Sequence, residues 1–175
     1  MKIIILIISL KSLIISNFFI SYDLKSDYSI KGLIDYEDYV NIDFVDSFEN
    51  SNSGSFDNAL SIGYDYFLMK NFGPGFTFDL SGLKKNNFSG SFVNIYLKYN
   101  HFIDNISVFL SIGRGIPKGD FLNQDFDSGR YYSLGLEIYK HIGLSFSKNE
   151  ISRGDFIDIE NQTLTVTRLS LFYKL

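Results

Sequence analysis

The sequence predicts an all-β protein: an eight-stranded antiparallel up-and-down barrel whose wall spans a membrane. Three observations predict it. Apolar and polar residues alternate with period two in eight separate stretches. The connections between those stretches run alternately long and short. The last stretch, "TLTVTRLSLFYKL", is itself a strand, with Leu169, Leu171, Tyr173 and Leu175 on one face.

Taken in order, residues 1–21 come first and read as an address. Lys2 precedes an unbroken apolar run from Ile3 to Leu10, and the run resumes after Lys11. A basic start and a short apolar centre resemble a secretory signal peptide, with Ser16 and Ser21 as candidate ends of the cleaved segment. The alternative is an uncleaved signal anchor, for which the segment is just long enough. The barrel domain is then expected over residues 22–175.

In "YSIKGLIDY", Tyr28, Ile30, Ile34 and Tyr36 face one way and Ser29, Lys31 and Asp35 the other. "NALSIGYDYF" sets Leu60, Ile62, Tyr64 and Tyr66 against Ser61, Gly63 and Asp65. "GFTFDLSG" sets Phe76, Phe78 and Leu80 against Thr77 and Asp79, and "SFVNIYLKYN" sets Val93, Ile95, Leu97 and Tyr99 against Asn94, Tyr96 and Lys98. "NISVFLSIG" places Ile106, Val108, Leu110 and Ile112 together. "RYYSLGLEIYK" opposes Tyr132, Leu134, Leu136 and Ile138 to Ser133, Gly135 and Glu137, and "IGLSFS" opposes Ile142, Leu144 and Phe146 to Gly143 and Ser145. The closing strand turns Arg168 and Ser170 away from its apolar face.

Long connections are expected near Glu37–Phe56, Gly82–Ser91, Gly115–Gly129 and Lys148–Asn161, and short ones near Lys70, Asn100 and Lys140–His141. Pro74 and Pro117 are expected in connections, because proline removes a ladder donor. Long loops at one end and tight turns at the other, with both chain ends on the tight-turn side, is the asymmetry of a membrane barrel. After Ser21 no apolar run is long enough for a membrane helix.

Composition narrows the classes. The chain has no cysteine, which removes disulfides and thiolate metal sites. Its net charge is −4, and the leader contributes only lysines, so the remainder is more acidic still. That balance argues against nucleic acid as a partner. The 18 Phe and 12 Tyr, with no Trp, favour pleated strands. Of these, Tyr28, Phe72, Phe76, Tyr99, Tyr139 and Tyr173 are placed for a periplasmic aromatic girdle.

A leader, eight alternating strands and the C-terminal "RLSLFYKL" together resemble small outer-membrane β-barrel proteins of the OmpA/OmpX type, the outer membrane protein β-barrel domain family. The resemblance implies residence in the bacterial outer membrane, contact with outer-membrane lipid and lipopolysaccharide, and a monomer. It also implies a last strand read by the barrel-assembly machinery, with Leu169, Leu171 and Tyr173 matching the alternate apolar positions. Leu175 departs from the usual terminal aromatic.

Eight strands leave an interior that side chains can fill. The expected inward charges are Lys31, Asp35, Asp65, Asp79, Lys98, Glu137 and Arg168, three basic and four acidic groups that must pair. The expectation is a plugged lumen in a barrel with a structural, adhesive or surface-interaction role and no enzymatic activity. The alternatives are a narrow porin or channel, a lipid-modifying barrel enzyme built on His101, His141, Ser145 and Glu150, and a soluble lipocalin-like barrel. No cofactor, catalytic or metal residue is expected. "NQDFDSG" at Asn123–Gly129 has oxygen ligands at alternate positions but Leu134 where a calcium loop needs Glu. Asp120, Asp125 and Asp127 are therefore read as a solvated acidic loop. "GRGIPKG" at Gly113–Gly119 fits no phosphate loop, although Arg114, Lys118 and Arg130 near the outer rim could meet lipid phosphates. "RGD" at Arg153–Asp155 is a chance match.

Overall fold

The structure, a computed structural model, describes residues 17–31, 52–69, 71–85, 88–120, 127–152 and 163–175. Ten strand segments make one closed sheet: β1 (Phe18–Lys31), β2 (Asn52–Phe56), β3 (Leu60–Asp65), β4 (Phe72–Asp79), β5 (Leu83–Lys85), β6 (Phe88–Ile103), β7 (Ile106–Asp120), β8 (Gly129–Ile138), β9 (Ile142–Ser152) and β10 (Thr163–Lys174). They build eight staves. β1 pairs with β3 through Phe18–Tyr22 and with β2 through Ser26–Ile30, so β2 and β3 are two lengths of one stave. β4 and β5 share a stave in the same way, both lying against β6. All neighbours are antiparallel, and β10 returns to β1 from Phe19↔Lys174 to Lys31↔Thr163. Closure leaves no edge, so the ladder satisfies the backbone groups that lipid cannot.

The alternation places side chains as expected on seven of the eight staves. Ile95, Leu97, Leu110, Ile112, Leu134, Leu136, Leu144, Phe146, Leu169 and Leu171 are exposed on the outer wall, while Ser111, Ser133, Ser147 and Ser170 are buried in the lumen. Such an exterior has water for a neighbour only at great cost, and lipid at none. Among the described residues no helix is long and apolar enough to cross a membrane. The tight turns lie at one end, at Asp104–Asn105 and Tyr139–His141. Asp104, Tyr139 and Lys140 take left-handed φ values of 52°, 52° and 62°, the backbone that short hairpins require. Both ends of the wall meet there too, where Leu175 N donates to Phe18 O at 2.9 Å. The connections 32–51, 121–126 and 153–162 lie outside the described residues.

The structure corrects the first stave. Its strand starts at Phe18, inside the segment read as leader, rather than at Tyr28. A bulge between Asp23 and Lys25 then shifts the alternation by one. Tyr28 consequently points inward, buried against Phe56 with ring centroids 4.8 Å apart, and leaves the expected girdle. The same shift turns Lys31 outward, so it is not a lumen charge. Phe72, Phe76, Tyr99, Tyr139 and Tyr173 are exposed, as a girdle needs.

The long connections are also shorter than expected, because the strands run on past the apolar band. Gly113–Gly119 belongs to β7, Leu83–Lys85 pairs back onto β6, and β9 reaches Ser152. Pro74 and Pro117 therefore sit in strands, each where pairing on one side has ended: β8 pairing with β7 stops at Gly115, and β3 pairing with β4 starts only at Gly75. Pro74 O still accepts from Tyr66 N at 2.8 Å, but without an N–H Pro74 returns no bond, so that ladder goes no further.

Candidate functional site

Among the described residues, the lumen gathers chemically capable side chains in quantity. It is layered. Nearest the tight turns, Lys174 Nζ donates to Glu137 Oε2 at 2.5 Å and stands 3.7 Å from Asp65 Oδ2. Asp65 also accepts from Lys98 Nζ at 2.7 Å and from Tyr96 Oη at 2.9 Å. Three rings, Phe19, Phe109 and Phe172, close around this group. Lys98 Nζ lies 4.0 Å from the centroid of Phe109 and about 6 Å from the other two, so its ammonium has π faces wherever it lacks oxygen. Three glycines make room for these rings. A Cβ at Gly63, Gly135 or Gly143 would overlap Phe19, Phe109 or Phe172 respectively.

Above them comes a belt of hydroxyls, with Ser21, Ser61, Ser111, Ser133, Ser147 and Ser170 around a residual cavity of about 50 Å³. It is polar and has room for water. The next layer is an arginine clamp. Arg168 donates through both terminal nitrogens to Asp79, at 2.7 Å each, and lies 3.7 Å from Asp23. Asp79 further accepts from Ser61 Oγ and from the Phe92 amide, both at 2.8 Å. Asp23 accepts from Ser170 at 2.7 Å and Ser26 at 3.0 Å. With four hydrogen bonds to Asp79, and two to Asp23 beside the guanidinium, the buried carboxylates have the partners that desolvation demands. Asn94 Oδ1, both amide atoms of Asn149 and Arg168 Nε have no protein partner among the described residues, and these are the places for ordered water.

The outermost layer is apolar. Tyr28, Phe56, Ala59, Leu83, Phe92, Ile151, Leu164 and Val166 form a buried cluster that caps the clamp. Among the described residues, sequence alternation pointed to five of the seven lumen charges: Asp65, Asp79, Lys98, Glu137 and Arg168 are all buried. It missed Asp23, which lies beside the leader boundary, and Lys174, read as part of the chain end. Both were available from strict parity on β10 and from extending the first strand backwards. Asp35 lies outside the described residues.

The hydrolase set does not assemble. Ser145 lines the lumen cavity, whereas Glu150 sits on the outer face near the far rim. His101 is exposed, and His141 stacks on Tyr173 at 6.2 Å with Nδ1 3.4 Å from Lys174 O. Nor is the barrel a lipocalin turned inside out: Lys98, Glu137 and Arg168 are inside and the aliphatic face is outside. Asp127 is exposed, Asp125 lies outside the described residues, as does Arg153–Asp155, and nothing is described of the Asp120 side chain. Among the described residues no group of three or more His, Asp or Glu is placed to hold a metal ion.

A closed antiparallel barrel, ion-paired within and aliphatic without, defines an integral membrane β-barrel protein. Among solved structures the chain is similar to Neisserial surface protein A, NspA (11% identity, TM-score 0.45, covering 90% of this chain and 97% of that one). It is similar also to Ail, the attachment invasion locus protein of Yersinia pestis (13%, 0.43, 90% and 97%), and to the outer membrane protein OprG from Pseudomonas aeruginosa (10%, 0.44, 91% and 96%). No family model and no curated protein matches the chain.

Proposed function

We propose that the protein is a small barrel of the bacterial outer membrane with a structural, adhesive or surface-interaction role, and that it neither conducts nor catalyses. The observation that supports this reading most is the stacking of three closures in one lumen: the lysine–phenylalanine layer, the Arg168 clamp and the apolar cap. An ion crossing it would have to open two desolvated ion-pair groups and a dry cluster. The parts left to interact are then the outer wall, with lipid, and the strand extensions and connections beyond the far rim. Planar-bilayer recording tests the reading. The refolded protein inserts without reproducible unitary conductance; stepwise currents carried by the wild-type chain would favour the narrow-channel alternative.

The export leader ends at Ser16 rather than Ser21. Cleavage after Ser21 would remove Phe18–Ser21, which pair with both β3 and β10, together with the Phe18 carbonyl that receives Leu175. The alternate apolar face of β10, with Leu171 and Tyr173 exposed on the outer wall, serves the assembly machinery.

A further inference from the structure

The turn between β3 and β4 is built unlike the other two tight turns. β6 and β7 pair down to Ile103↔Ile106, and β8 and β9 down to Ile138↔Ile142, so each of those hairpins ends as regular ladder. The β3–β4 ladder stops early. Its last full rung is Asp65↔Gly75, after which Tyr66 N donates to Pro74 O at 2.8 Å and Pro74 has no N–H to return. The next rung would set Phe67 opposite Gly73. Instead the chain leaves the wall, because a Cβ on Gly73 would overlap Tyr66 O and Phe67 Cα. Directly opposed residues of a ladder stand side by side, about 4.5–5.5 Å apart. Gly73 is on the inward side of β4, in phase with Asp79. Backbone lying where its side chain would be has folded across the inner face of β4, into the mouth of the lumen. Among the described residues, the backbone of 67–69 bonds only within the turn, where Met69 and Phe72 exchange bonds at 3.1 and 3.3 Å.

Side-chain directions agree. Tyr66, Leu68 and Met69 are exposed, and Phe67 alone among them turns in, with its ring centroid 5.9 Å from Lys174 Nζ. Lys174 is the penultimate residue and stands at the rim where the wall ends, yet it is only 6% exposed. Glu137 and Asp65 meet its ammonium from within the lumen, and the Phe67 ring offers a π face on the remaining side. We infer that residues 66–69 are an in-folded plug of the tight-turn mouth, with Phe67 as its stopper, Gly73 as its seat and Pro74 as the ladder stop that releases it from the wall. The plug is a closure separate from the three deeper in the lumen. It opens by swinging on the Tyr66–Pro74 bond, which wets the Lys174–Glu137 pair while the phenylalanine layer stays shut. A turn held to the wall so lightly belongs to the part of a fold that opens most easily. The inference rests on the membrane-barrel reading, which turns this mouth to the periplasm.

The test reads lysine acylation by a water-soluble N-hydroxysuccinimide ester on the folded full barrel in detergent, with peptide mass spectrometry locating the label. Lys140, exposed on a neighbouring turn, is the internal standard, and Lys98, among the phenylalanine rings, reports on the deeper lumen. In the wild type Lys140 is labelled and Lys174 is not. Phe67→Ala removes the stopper and Gly73→Val blocks its seat. Each is expected to speed labelling of Lys174 by about tenfold or more while Lys98 stays protected, as local opening requires. Phe67→Leu retains most of the protection, and Tyr66→Ala, on the same turn but facing out, retains all of it. Lys174 labelled as fast as Lys140 in the wild type overturns the inference. So does a Lys174 that stays protected in both Phe67→Ala and Gly73→Val, because the wall alone would then bury it. Labelling of Lys98 together with Lys174 overturns it as well, since the whole barrel would then have loosened. Gel migration of the same samples, unheated and heated, separates the two failures. A folded barrel with an unprotected Lys174 sinks only the plug, whereas a chain that never forms a barrel sinks the reading beneath it.

Discussion

Arg168 shows how much a single side chain carries when it is buried with its partners. Its two bonds to Asp79 hold β10 against the stave of β4 across the lumen, and Asp23 adds a third contact from β1. Replacing Arg168 with Met leaves two carboxylates in the dark, and is expected to lower unfolding stability by about 3–5 kcal/mol. Replacing Lys31, exposed on the outer rim, is expected to stay within about 0.5 kcal/mol. Urea unfolding in lipid vesicles measures both. Adding Asp79→Leu to Arg168→Met should recover part of the loss, because removing both charges costs less than orphaning one. At this scale period-two parity was enough to find Asp65, Asp79, Lys98, Glu137 and Arg168. It could not find Tyr28's true direction or the outward turn of Lys31, because one inserted residue at the Asp23–Lys25 bulge reverses every side chain after it, and no residue type announces a bulge.

Strands carry the next lesson. β8 is a clean alternation that any reading would find, and its inward Gly135 is explained only by its ladder partner on β7, Phe109, whose ring lies over it. Gly135→Val keeps the strand pattern and improves β propensity, yet it is expected to destabilise by about 1–3 kcal/mol through overpacking; the same urea experiment checks it. β1 was the stave least legible in sequence. Its first residues are apolar and adjoin the apolar run of the proposed leader, and the two kinds of segment share one vocabulary. The strand's register against β3 and β10 favours the proposed end at Ser16, so the expected mature chain begins at Asn17. Intact mass of the exported protein reads this directly; a mass starting at Tyr22 would contradict it. The prolines were misplaced for a related reason. Proline is kept out of ladders paired on both sides; pairing with β8 has ended before Pro117, and at Pro74 only the carbonyl is bonded on the β3 side, by Tyr66 N.

For the whole molecule, closure is what makes an aliphatic exterior and a charged interior compatible with one backbone. The unheated, detergent-solubilised barrel is expected to migrate differently on a denaturing gel from the boiled chain, since the closed ladder resists detergent until heat opens it. Identical migration before and after boiling would argue against a barrel. The claim beneath all the others is that alternate residues face lipid and lumen. The chain has no cysteine, so single-cysteine variants report cleanly. Leu134→Cys, Leu136→Cys and Ser133→Cys, labelled with a small fluorophore in vesicles containing brominated lipid, test it on one strand. Strong quenching is expected at 134 and 136, and at 133 either no labelling or no quenching. Quenching at 133 with protection at 134 and 136 would contradict it.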